Sequence, residues 1–548
     1  MRLDLGIIKM TMKRNKILLA ASLLSLVLTS CIPLIRRKSN SESTIDSSIS
    51  EISTSQSEEV STSSSKTNES SSISEEESSE ESIFSEESSE LGSSEEILSS
   101  SDSSVQSEEQ SLSEEKAYTV IETLAKRMPA EFEPVSMVKM CYPNNMPLSV
   151  YKTISEDNKL LILTNPDEKG NSRISEAQSE FTTAGVNMSN VTFIDMDLGD
   201  DYSYWVRDFS PFYVFNNKGL SIVDFTYNRP YRVEQNAVPS KLSTYFNMNY
   251  SKMGITHTGG NLMQDGRGTA FSDDLVVSEN NNSKTKVLSQ MEQYTGTDNY
   301  VITIDPQGDY IAHIDCWAKI VAPDKIIVAR LPQSDSRYSY YEQVANELAN
   351  TKCAYGYNYR IYRIDEQGGD TIAPYTNSLI ANKHVYVPLG ENKADNQKAL
   401  ATYQLALPGY TIHGMEGFSF DEDLCFLNTD ALHCRTHEVP DQNMLFIDSR
   451  EVLHDEVNPS DEYLVKANIV SYANAALDKV TIHYSVNDGA YQEQSMIRYQ
   501  NTTNYTFAFT NLNSGDDVKY YIEATDKQTN YNVDPSCGNL DPHHFVVK

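Results

Sequence analysis

Lys325-Ile326-Ile327-Val328-Ala329, followed by Tyr338-Ser339-Tyr340-Tyr341-Glu342-Gln343-Val344-Ala345-Asn346-Glu347-Leu348-Ala349-Asn350, decides the fold class. The first segment is a short apolar, β-branched run without polar alternation, as a strand buried on both faces requires. The second carries its apolar side chains near 3.6 residues apart, the period of a helix with one buried face. The pattern recurs. Lys159–Thr164, Val191–Asp195 and Lys383–Pro388 read as further buried strands, and Asp395–Leu407 reads in part as a helix. Strands alternating with helices predict an α/β domain between Arg127 and Arg450.

Beyond about Glu451–Glu456 the period changes. Tyr463–Ser471, Lys479–Ser485, Tyr505–Leu512 and Val518–Ala524 alternate apolar with polar residues, separated by turns such as Asn487-Asp488-Gly489 and Asn513-Ser514-Gly515. Short strands so spaced predict a small β-sandwich, and this tail carries no cluster of ionisable groups of its own.

Upstream of Ala117 the composition is different again. From Ser39 to Lys116 there are 33 Ser and 21 acidic residues against 2 Lys, too little apolar surface to offset the entropy of ordering. That tract reads as an extended, solvated stalk. Before it, Lys13, Arg14 and Lys16 precede an apolar run from Ile17 to Leu28 and then Thr29-Ser30-Cys31. The run is short for a membrane span and fits a signal peptide. The small residues before Cys31 resemble a bacterial lipobox, whose Cys is lipidated. The expected divisions are a lipoprotein signal peptide over 1–31, a disordered linker over 32–116, a catalytic domain over 117–452 and the sandwich over 453–548. The expected location is extracytoplasmic, at the membrane or cell surface, through a lipid on Cys31.

The 548 residues carry a net charge of −34, enough chain for two or three domains and the wrong sign for neutralising phosphates. No nucleic-acid partner is expected. Seven Cys are too few for a disulfide scaffold.

Five motifs in the α/β region carry possible chemistry. Trp205-Val206-Arg207-Asp208 offers a carboxylate beside an indole wall, or a plain Arg207–Asp208 ion pair. Thr258-Gly259-Gly260-Asn261 and Asp265-Gly266-Arg267-Gly268 read as a tight turn and a hairpin, since no strand–GxGxxG–helix context makes them a nucleotide loop. His313-Ile314-Asp315, taken as part of a strand over Tyr310–Val321, would project His313 and Asp315 to one face as an acid/base pair. On that reading Cys316 points the other way, into the core. Asn377 lies in the turn Tyr375-Thr376-Asn377-Ser378. Leu432-His433-Cys434-Arg435-Thr436-His437 sets a Cys between basic residues, a setting that favours thiolate. Cys141 and Cys425 have apolar neighbours and read as inert. No ordered set of metal ligands is evident.

The order Asp, His-x-Asp, Asn and a late Cys resembles the Porphyromonas-type peptidyl-arginine deiminase family, whose relatives include the agmatine deiminases. The resemblance runs from about Met128 to Arg450 and begins at Pro129-Ala130-Glu131-Phe132-Glu133-Pro134. It implies a pentein-like, five-bladed α/β propeller with a central pocket, followed by an immunoglobulin-like domain. It also implies roles: Asp208 and Asp315 hold the guanidinium, Cys434 attacks its carbon, and His313 moves protons. Asn377 aligns the Cys434 loop, and Trp205 and Tyr310 wall the pocket. No cofactor and no metal is expected.

Arg229 and Arg232 look like the family's arginine pair for a substrate's C-terminal carboxylate, although three residues apart is wider than the expected spacing. That pair, Thr258 before the glycines and the export signal favour arginine in peptides or proteins, at their C-terminus, as substrate. Agmatine is the alternative, and a surface adhesion protein built on a deiminase scaffold is the reading from another class.

Overall fold

The computed structural model describes residues 120–143, 146–201, 203–369, 373–417, 426–427 and 429–548. Cys31, Cys425, the signal segment and the whole of the Ser/Glu tract lie outside the described residues.

The body is built from five small sheets with one shared connectivity. In the first, β1 (Val135–Tyr142), β2 (Leu160–Thr164) and β3 (Val191–Asp195) run parallel, with helices Leu148–Asp157 and Ile174–Ala184 between them. The second has β4 (Phe212–Asn216), β5 (Gly219–Tyr227) and β6 (Asn249–His257), and the third β7 (Met263–Gln264), β8 (Thr269–Asp273) and β9 (Asn299–Thr303). The fourth has β10 (Ala318–Ala322), β11 (Lys325–Arg330) and β12 (Arg360–Asp365). The fifth has β13 (Leu379–Ala381), β14 (His384–Pro388) and β15 (Thr411–Met415).

In each of the last four sheets the first two strands form an antiparallel pair, and a helix then carries the chain to a parallel third. The first sheet is completed from the far end of the body. Its outer antiparallel strand is β16 (His437–Pro440), which pairs with β1.

The aliphatic run at β11 is buried from Lys325 to Ala329 and lies against helix Tyr338–Ala349, which contributes Tyr341, Val344, Ala345 and Leu348 to the same core. Burying a side chain such as Ile327, Val344 or Leu348 contributes about 1.5–3 kcal/mol. The sequence reading of β3 as buried is corrected: none of its residues is buried. It is the edge strand of its sheet, and one side faces solvent.

The tail comprises two mostly antiparallel sheets sharing one apolar core. Strand Leu445–Asp448, which precedes the expected boundary at 453, already pairs with Glu462–Ser471 in it. Asp534 fastens this part to the body. It accepts from Arg267 Nη2 at 2.7 Å and Tyr355 OH at 2.8 Å, with Ser449 and His543 also on its carboxylate.

Candidate active site

Five short segments lie immediately before the leading strands of the five sheets: helix Val206–Phe209 before β4, 3₁₀ turn Gly259–Asn261 before β7, and 3₁₀ turn Ile314–Cys316 before β10. Turn Tyr375–Ser378 precedes β13, and 3₁₀ turn His433–Arg435 precedes β16. The segments meet: Val206–Phe209 packs on both His433–Arg435 and Gly259–Asn261, and the latter touches Ile314–Cys316. Asp208, Asp315, Asn377 and Cys434, expected from sequence, sit on these segments, and His313 is the residue that opens the third.

Cys434 is buried and held by Asn377. The Asn377 amide donates Nδ2–H to Sγ at 3.3 Å, and its Oδ1 accepts from the Cys434 backbone N–H at 3.2 Å. The His433 N–H also donates to the Asn377 carbonyl, at 3.1 Å.

The basic residues flanking Cys434 do not make its surroundings electropositive, which corrects the thiolate expectation. Arg435 is clamped by Asp430 through two bonds of 2.9 and 2.6 Å. Both ring nitrogens of His433 meet carboxylates, Nδ1 at 2.7 Å from Asp315 and Nε2 at 2.9 Å from Glu131. Burial first, and then the charges of Asp315 and Asp208, push the Cys434 thiol well above the ordinary range. Burial and both carboxylates thus favour the protonated thiol.

His313 and Asp315 are not on a strand. Asp309 Oδ1 caps the Ile311 and Ala312 amides, Ala312 adopts a positive φ of 44°, and the chain then enters the 3₁₀ turn. At about three residues per turn, positions two apart point in different directions. Asp315 therefore faces His433, whereas His313 Nδ1 lies 3.7 Å from Asp208 Oδ1. Cys316 does not point fully away: its Sγ is 3.7 Å from Asp315 Oδ1, and burial pushes this thiol up as well.

The two carboxylates differ. Burial raises Asp315, but the His433 hydrogen bond and charge outweigh it and hold the group below its ordinary value. Burial raises Asp208, Asp315 adds to the effect, and His313, Arg229 and Arg232 only partly oppose it. Asp208 Oδ1 and both nitrogens of His313 are buried without a hydrogen-bond partner. Buried polar groups left unpaired cost free energy until a partner joins them.

Arg207 pairs not with Asp208 but with Glu438, at 3.4 and 2.8 Å, and its Nε donates to the Thr436 carbonyl at 3.1 Å. Consecutive residues on a helix diverge, so Arg207 reaches back to brace the Cys434 turn while Asp208 faces the site. The paired glycines are close-approach positions. A Cβ on Gly259 would stand 2.1 Å from the Arg207 carbonyl oxygen, and one on Gly260 would stand 2.4 Å from His313 Nδ1 and 3.1 Å from Asp208 Oδ1.

Trp205 donates Nε1–H to Asp430 at 2.9 Å, and the Arg232 guanidinium lies 5.2 Å from the centre of its ring. Arg232 also bonds Gln235 at 3.3 Å, whereas Arg229 is half-buried and has no ion pair among the described residues. Tyr310, expected as a pocket wall, is 85% exposed among the described residues.

Sequence reasoning missed Glu131. Its Oε2 receives Lys319 at 2.7 Å as well as His433, and its Oε1 accepts from the Ile380 N–H at 2.7 Å. Burial would raise this carboxyl, but Lys319 and His433 hold it well below its usual value. It lies within Pro129–Pro134, where nothing in the spacing distinguishes it from a surface acid.

Fold and site together define an α/β mixed-sheet protein with a buried cysteine on a turn, faced by two carboxylates and a histidine. The Porphyromonas-type peptidyl-arginine deiminase profile matches residues 127–440, more than half of the chain, and the chain belongs to that family. A relative from Photobacterium profundum, provisionally named an agmatine deiminase, is 23% identical over 57% of this chain and 96% of its own length. The agmatine deiminase of Pseudomonas syringae is 21% identical over 57% and 95%. The solved agmatine deiminase of Enterococcus faecalis superposes with a TM-score of 0.49 at 19% identity, over 58% of this chain and 96% of that one.

Proposed function

We propose that the chain hydrolyses a guanidinium group to a ureido group and ammonia, with Cys434 as nucleophile. One observation carries the reading: the buried Cys434 thiol feels the charges of both Asp315, which is buried, and Asp208, whose Oδ1 is buried and unpaired, and Asp208 has no Lys or Arg ion pair among the described residues. A bound guanidinium supplies that cation through fork-like, charge-assisted hydrogen bonds to Asp208 and Asp315. Its charge also offsets what holds the thiol proton in place. Cys434 loses that proton to His313 as sulfur attacks the guanidinium carbon. His313 returns it to one nitrogen, which leaves as ammonia, and a thiouronium remains on the sulfur. His313 next takes one proton from water as the oxygen adds and gives it to sulfur as the C–S bond breaks; the hydroxyl's remaining proton passes to solvent, where ammonia takes it up as ammonium, and the neutral ureido product departs.

For the substrate we favour arginine at a peptide C-terminus. Arg229 supports this, being half-buried, free of an ion pair and near enough to act on Asp208. The names of the relatives favour a second reading, agmatine, which has no carboxylate. Ureido product measured on a free-acid peptide, its amidated form and agmatine separates them. Arg229→Ala should cost roughly ten- to a hundred-fold in kcat/KM on the free acid alone, as loss of a charge-assisted contact does. Equal loss on all three removes the clamp and favours agmatine.

We also read the five sheets as a pentein-like propeller, the tail as an immunoglobulin-like domain and Cys31 as the site of a lipid anchor. Membrane-fraction recovery that survives Cys31→Ser would rule out the anchor.

A further inference from the structure

The helix Leu148–Asp157 of the first sheet ends against the fifth sheet, at the end of β13 and β14 remote from Asn377. There Asp157 Oδ2 lies 3.2 Å from His384 Nδ1 and 3.8 Å from His413 Nε2, and the two ring nitrogens lie 3.0 Å from each other. His384 begins β14 and His413 is opposite Tyr386 on β15, so alternation places both rings on one face of the sheet. The rings are held. His384 and His413 stack at 5.3 Å between centroids, and Tyr386 stacks on His413 at 4.8 Å.

We propose that Asp157, His384 and His413 form a binding site for a divalent transition-metal ion, zinc fitting best, with its remaining positions open to water. All three ligand atoms lie within 3.8 Å of one another, near enough for one ion to meet them all in place of the His384–His413 hydrogen bond. Zinc bound at about 2.0–2.2 Å in tetrahedral geometry places its ligands about 3.3–3.6 Å apart, and the observed separations bracket that range. Two imidazoles and one carboxylate suit zinc better than calcium or magnesium, which take oxygen ligands. Asp157 is the last residue of a ten-residue helix, where the unpaired carbonyls add negative potential for a cation. The ion would join the first sheet's helix to the fifth sheet. It would therefore bind the folded chain and stabilise it by linkage.

Zinc titration by calorimetry on the whole chain, stripped beforehand with chelator, tests the proposal. One site per chain is expected, weakened at least about tenfold in Asp157→Asn, His384→Ala and His413→Ala, since even outer-shell changes cost that much. Weak background binding by the acidic tract should persist in all of them. Zinc should raise the Tm of the wild type but not of His384→Ala, and Co²⁺ on the wild type should give the intense visible bands of a four-coordinate N/O site. Undiminished binding in both histidine variants, no zinc-dependent Tm shift in the wild type, or an aquo-like cobalt spectrum would each overturn it.

Discussion

Asn377 and Cys434 hold each other reciprocally: the amide donates to the sulfur at 3.3 Å and accepts from the cysteine's own N–H at 3.2 Å. A side chain and a backbone group 57 residues apart thus fix both the nucleophile and the turn that bears it. Asn377→Ala should lower kcat by about a hundred-fold, the scale of an ångström of misplacement, with little change in KM. An unchanged kcat on an arginine peptide would remove Asn377 from the site.

Asp208→Asn should move two rates in opposite directions. Losing one of the charges that hold the Cys434 proton lowers the thiol pKa, so alkylation by iodoacetamide near neutral pH should speed up. Turnover should fall by about 3–5 kcal/mol of transition-state stabilisation, the scale of a broken buried charge pair. If alkylation of Cys434, located by peptide mapping, slows in the variant, this account of the thiol's charge state is wrong.

The adjacent glycines should fail differently. In Gly260→Ala the new methyl meets the His313 ring and the Asp208 carboxylate, so turnover should be lost with Tm nearly kept. Gly259→Ala meets a backbone oxygen that cannot swing aside, so stability should fall first. Thermal melts beside kcat for the two variants distinguish these effects, and the opposite pattern would contradict the geometry.

Asp534 predicts an acid-sensitive junction. Burial raises its carboxyl, but Arg267 and His543 outweigh that and bring it down to about 2. A folded-state value below the unfolded value of about 3.9 contributes stability that is complete above that pH and lost as pH falls towards 2. Asp534→Asn should cost about 3–5 kcal/mol at neutral pH, because it strands Arg267. The gap between variant and wild type in urea midpoints should narrow between pH 4 and 2, and a gap independent of pH would refute the assignment.

What the sequence revealed follows from the range of the forces involved. Strand β11 and the helix after it were legible because burial imposes a period on neighbouring residues. The exposed edge at β3 was not, because sheet position is set by strands far along the chain. Asp208, His313, Asp315, Asn377 and Cys434 stood out as motifs in order, but their geometry was misjudged wherever it depended on a distant partner. Arg207 turned to Glu438, and the charges beside Cys434 were neutralised by Asp430, Asp315 and Glu131. His384 and His413 were invisible as a pair with Asp157 for the same reason: the fold brings Asp157 and His384 together from 227 positions apart.

The closing of β16 on β1 has a consequence in time. The thiol arrives on the final turn of the body, and the strand that seats it is held by the first strand made. A chain made from its N-terminus thus contains its carboxylates, histidine and amide before it contains the nucleophile. On the roles proposed above, reactivity towards arginine begins only when the beginning and end of the body have met.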